Sequence, residues 1–121
     1  MSLAIRRSDW FIGDLEHYAA WYDKAAGWEL AERYLSAVSS TLNRLAEMPG
    51  TGNPASFSNP ALKSLQVLPV ERPFEKHLIF YRYDESTVYV ERAVHGARDL
   101  PRRNRQRLRI SNQSAISMQS P

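Results

Sequence analysis

The sequence predicts an α+β fold: an N-terminal strand and an antiparallel α-hairpin packed on one face of a mainly antiparallel four-stranded sheet, in the order β-α-α-β-β-β. Three observations predict it. Two apolar stripes at helical spacing are separated by one short break, a stretch rich in Pro, Gly, Ser and Asn follows them, and three extended runs fill the second half.

Each element follows from its own residues. Leu3 to Arg7 is short and partly β-branched, and Ser8-Asp9 supplies N-cap chemistry directly after it, so a strand feeds a helix. Phe11, Leu15, Tyr18, Tyr22 and Ala25 form one stripe of a helix running to about Ala26, and Gly27 marks the break. A second stripe, Ala31, Leu35, Val38, Leu42 and Leu45, with Tyr34 and Ala46 beside it, runs to Met48, where Pro49-Gly50-Thr51-Gly52 stops it. So short a link makes the helices antiparallel neighbours whose shared apolar faces need a third surface. Pro49 to Pro60 reads as an exposed loop. The extended runs are Leu62 to Val70, ended early or placed at an edge by Pro69, then His77 to Tyr83 and Thr87 to Val94, joined as a hairpin by Asp84-Glu85-Ser86. Alternation in the last run puts Val88, Val90 and Arg92 on one face and Thr87, Tyr89, Glu91 and Ala93 on the other.

Composition excludes several function classes. Hydrophobic residues at 43% and charged residues at 24% belong to a folded domain. No apolar run is long enough to span a bilayer and the N-terminus has no secretory pattern, which points to the cytoplasm. Without cysteine there is no disulfide, no thiolate catalysis and no cysteine-bound zinc; His17, His77 and His95 are too far apart in sequence for a local metal motif, so no metal or other cofactor is expected. The net charge of +3 is unevenly placed. From Arg98 to Arg109 six arginines face one acid, Asp99, for +5, and the rest of the chain carries 10 Lys+Arg against 12 Asp+Glu, for −2. The positive excess therefore sits in one segment, where nucleic acid or an acidic protein would be attracted. Lysine is absent from it, and arginine suits bidentate contact with phosphate or carboxylate. The last twelve residues, Ile110 to Pro121, carry no charge and read as a disordered tail.

The succession ERYLSAVSSTLNRLAEMPGTGNP, VLPV, HLIFYRY and ERAVHGARDL resembles the RelE/ParE superfamily of bacterial toxins from type II toxin–antitoxin modules. The resemblance covers about residues 3–100, and its VHGARDL end is the most ParE-like part. It implies a toxin domain over residues 1–100, a basic arm over 101–109 and a polar tail over 110–121. It also implies a cognate antitoxin, small and acidic, with a ribbon-helix-helix start as one form. In the ParE branch the implied activity is inhibition of DNA gyrase without nuclease chemistry; in the RelE branch it is cleavage of mRNA on the ribosome.

Cleavage through a 2′-hydroxyl needs a proton acceptor, a proton donor and cations for the phosphorane charge. Leu78 stands where RelE-like toxins tend to carry arginine, Asn104 falls near their C-terminal tyrosine, and no tyrosine follows Tyr89. The ParE branch is favoured on that ground. The catalytic candidates that remain for the alternative are His95, Arg98, Arg82 and His77, with Lys76 and Arg92 as further cations. Arg98 can equally pair with a carboxylate such as Asp99 or Glu91, and His95 can simply bond the turn that follows it. Target contact is expected from Arg98, Arg102, Arg103, Arg105 and Arg107. Trp21 and Trp28 fall off the apolar stripes and are the expected aromatic anchors for the antitoxin. A third reading, a non-toxic module whose arm binds nucleic acid or an acidic protein, also fits the charge distribution.

Overall fold

The structure, a computed structural model, describes residues 2–55 and 65–99. The expected arm and tail at 101–121, and the first residues of the run starting at Leu62, lie outside the described residues. The elements are β1 (Ala4–Arg7), α1 (Asp9–Ala26), α2 (Trp28–Glu47), a 3-10 turn (Pro49–Thr51), β2 (Asn53–Pro54), β3 (Gln66–Pro69), β4 (His77–Tyr83), β5 (Thr87–His95) and the short α3 (Gly96–Asp99).

The sheet has five strands in the order β1-β5-β4-β3-β2, one more than the sequence predicts. The extra one, β2, lies within the stretch expected to be loop, where two residues pair with Gln66 and Val67 of β3. Too short to carry a period of its own, it is held by tertiary contacts. Tyr81 reaches from β4 to receive the Gly52 amide proton at 2.9 Å and donates to the Pro49 carbonyl at 2.8 Å. A side chain at Gly52 would run into that hydroxyl and the Val67 carbonyl, so glycine is required by the close approach.

β1 pairs in parallel with β5, while the other neighbours are antiparallel. Parallel pairing needs a crossover, and the α-hairpin supplies its first part. Ser8 joins the layers at this point. Its hydroxyl accepts from the Phe11 amide at 3.0 Å, capping α1, and donates to the Glu91 carbonyl at 2.7 Å. Gly27 separates the helices at φ 98°, a region that side chains other than glycine's rarely enter.

Phe11, Tyr18, Tyr34, Val38, Leu42 and Leu45 from the helices meet Ile79, Tyr81, Val88, Val90 and Ala93 from the sheet in one core. Two expected stripe positions lie elsewhere: Leu35 is 37% exposed and Ala25 is exposed, while Ala37 and Thr41 are buried in their place. The alternation expected for β5 breaks after Val90. A register shift sets Phe80 opposite Arg92 but Tyr81 opposite Val90, leaving Glu91 as the extra residue of a bulge. The bulge changes the phase, so Ala93 joins Val88 and Val90 in the core instead of facing away with Tyr89. None of the described helices is long and apolar enough to cross a membrane.

Candidate functional site: the clasp after the last strand

The C-terminal end of β5 pairs with the start of β4, His95 opposite His77, beneath the middle of α1. Three tyrosines of the helical layer, Tyr18, Tyr22 and Tyr34, converge there on the two imidazoles. The His77 ring lies 4.9 Å from those of Tyr18 and His95 and 4.6 Å from that of Tyr34. Tyr22 sets its hydroxyl 2.7 Å from His77 Nε2. His77 is only 1% exposed, and burial, reinforced by the positive fields of His95 and Arg98, pushes its pKa down to about 4. It is a neutral core histidine at ordinary pH. Its Nδ1 and the Tyr34 hydroxyl are buried without a hydrogen-bond partner among the described residues. Burial is also the main cause that raises the Tyr34 hydroxyl well above its ordinary pKa.

Tyr18 is the hub. Although 3% exposed, it donates to Asp99 Oδ2 at 2.6 Å and accepts the backbone N–H of His95 at 2.9 Å. Burial, with the Asp99 hydrogen bond, raises its pKa far above the usual phenol, so the hydroxyl is a fixed donor. The turn closes on itself as well: the Arg98 amide donates to His95 Nδ1 at 3.2 Å, so neutral His95 carries its proton on Nε2. Arg98, exposed, lays its guanidinium over the ring of Trp21 at 4.7 Å.

The expected candidates thus separate into two groups. His77, His95 and Arg98 come together, with Asp99, but Arg82 does not join them. It lies five residues along β4, about 16 Å away at strand spacing, paired with Glu91 at 3.3 Å and stacked over Tyr89 at 4.2 Å. Glu91 is fully buried in its bulge, which makes this pairing a structural requirement. Arg92 is likewise committed. Its guanidinium meets Asp14 of α1 in a fork, 2.6 Å and 2.9 Å, while the Ala93 amide donates to the same carboxylate at 3.0 Å. Of the carboxylates weighed for Arg98, Asp99 is taken by Tyr18 and Glu91 by Arg82. Leu78 is half-buried and packs toward Gly96.

The two tryptophans also separate. Trp21, 41% exposed, shares a patch with Arg98, whereas Trp28, 64% exposed, opens α2 and lines a shallow concavity with Glu29, Glu32, Arg33 and Leu35. Arg102, Arg103, Arg105, Arg107 and Asn104 lie outside the described residues. No group of acidic or imidazole side chains suited to a metal ion occurs among the described residues. Sequence reasoning missed Asp14 and the polar role of Tyr18, and it weighed Asp99 as a partner for Arg98 where the structure bonds it to Tyr18. One signal existed: a phenol on an otherwise apolar stripe needs a partner for its hydroxyl.

Comparison with known families decides the larger question. The profile described as "ParE toxin of type II toxin-antitoxin system, parDE" matches residues 5–100. The chain belongs to the ParE toxin family. Among solved structures, the chromosomal ParDE toxin–antitoxin system from P. aeruginosa is similar in fold, with a TM-score of 0.65 at 16% identity, covering 78% of this chain and 96% of that one. Comparison with curated proteins returns no match. The matched range takes in β1 from its second residue through α3, and it includes Arg98, the first arginine of the run.

Proposed function

We propose that this ParE-family chain arrests growth by binding and inhibiting DNA gyrase without cutting nucleic acid, and that a cognate antitoxin neutralises it. Beyond family membership, one observation carries the reading: two of the four cations that a nuclease could aim at phosphate, Arg82 and Arg92, are used internally, while Lys76 and Arg98 stay exposed. Arg82 is paired with Glu91 and Arg92 with Asp14. The imidazoles are no better placed for proton transfer, because His77 is buried and His95 gives its acceptor nitrogen to the Arg98 amide. An inhibitor needs none of these groups free. It needs a surface, and the exposed Arg98–Trp21 pair offers one.

The test is supercoiling of relaxed plasmid by purified gyrase titrated with the purified protein, beside primer extension on mRNA after induction. Inhibition of supercoiling with intact transcripts is the expected result. Arrested cells with unaffected gyrase and transcripts cut at ribosomal A-site codons would replace this reading with the endonuclease one.

A further inference from the structure

We propose that α1 guards an open edge of the sheet: Asp14 and Tyr18 stand where a longer β1 would pair with β5, and when they are removed Glu91–His95 pairs edge to edge with the same segment of a second copy. The guard is independent of what the toxin acts on.

β5 runs from Thr87 to His95, but β1 covers it only from Thr87 to Val90. Beyond Val90 one side of β5 is held by β4, and the other has no strand among the described residues. Such an edge presents backbone groups with which another chain can pair. Here three side chains of the segment that leaves β1 take them in turn. The Ser8 hydroxyl donates to the Glu91 carbonyl at 2.7 Å, the Asp14 carboxylate accepts from the Ala93 amide at 3.0 Å, and the Tyr18 hydroxyl accepts from the His95 amide at 2.9 Å. Glu91, Ala93 and His95 are the alternate positions that a neighbouring strand would engage. A helix keeps pace with them because four of its residues advance about 6 Å, close to the roughly 6.7 Å of two strand residues. Asp14 and Tyr18 therefore meet Ala93 and His95 in step.

A second copy is the occupant that the segment itself selects. Thr87–His95 reads TVYVERAVH, rich in the β-branched and aromatic residues that strands favour. Antiparallel pairing centred on Ala93 sets Glu91 of each copy opposite His95 of the other, acid against imidazole, with the small Ala93 at the two-fold axis.

The experiment compares the full-length chain with Tyr18→Phe, which keeps the core ring and removes the hydroxyl, with the double variant Tyr18→Phe/Asp14→Ala, and with Gly27→Ala, a substitution in the interhelical link. Sedimentation velocity gives the state of association, and exchange of the Ala93 and His95 amides is followed in dilute and in concentrated solution. The parent and Gly27→Ala should stay monomeric, with both amides protected at either concentration. In Tyr18→Phe the His95 amide should exchange quickly when dilute and slowly when concentrated. The double variant should associate at a concentration roughly tenfold or more below any association of the parent. Folded monomers of Tyr18→Phe whose His95 exchange is the same at both concentrations would overturn the proposal. So would a parent that already pairs through this segment, or Gly27→Ala associating as readily as the double variant, since loss of stability alone would then be the cause. If the double variant fails to fold, Tyr18→Phe decides alone.

Discussion

At the scale of single residues, two buried polar groups carry measurable consequences. Asp14 and Arg92 are 14% and 16% exposed and bonded in a fork, and Asp14 also receives the Ala93 amide. Asp14→Ala leaves a largely desolvated guanidinium and an unmet backbone donor, so unfolding in urea should show a loss of about 3–5 kcal/mol. His77 governs the response to acid. It is neutral in the native core with a pKa of about 4, whereas in the unfolded chain it titrates near 6.5. Between those two values the unfolded chain binds the proton and the native one does not. Stability from this group is thus complete above about pH 6.5 and declines as pH falls toward 4, by about 3 kcal/mol in all. Denaturation midpoints measured from pH 7 to pH 4 should fall along this window, and His77→Gln should flatten that part of the profile whatever it does to stability at neutral pH.

Elements were legible in the sequence wherever a period or a cap carried them. The Ser8 cap, the Gly27 break, the 84–86 hairpin and the two helices all stand where their residues place them. The hairpin is fixed by Asp84, whose carboxylate accepts from the Ser86 and Thr87 amides, hydrogen bonds that also lower its pKa. Three things were not legible, for three physical reasons. β2 is two residues long and defined by its partner. The bulge at Glu91 inverts the phase of β5, and a phase change cannot be told from an imperfect alternation without the opposite strand. The commitments of Arg82 and Arg92 depend on a carboxylate nine residues away in one case and 78 in the other. Gly27 gives the test at this scale. With φ 98° and ψ 165° it occupies a region nearly closed to other residues. Although nothing stands within reach of an added methyl, Gly27→Ala should cost about 1–3 kcal/mol through backbone strain alone. Thermal unfolding measures it, and an unchanged midpoint would show that the link relaxes.

For the whole molecule, charge is the dominant asymmetry. Residues outside the arginine run sum to −2 and the run itself to +5, so the domain is an acidic body with a basic end. Such a dipole steers encounter with an acidic partner and is screened by salt. On the proposed gyrase reading, association with that target should slow on the order of tenfold between about 0.05 M and about 0.3 M salt, with dissociation changing much less. Stopped-flow or surface-binding kinetics would separate the two rates, and a salt-independent association rate would remove electrostatics from recognition.

The parallel pairing of β1 with β5 has a further meaning in time. Ala4 lies against Thr87, 83 residues later, and β5 sits between β1 and β4. At ribosomal speeds of about 5–20 residues per second, the first strand waits roughly 4–17 seconds for its neighbour to be synthesised. Until then the sheet lacks the strand that joins β1 to β4, and His95 has not joined the clasp. A growing or prematurely ended chain therefore cannot make the β1–β5 pairing, and the fold closes only when nearly the whole domain has been synthesised.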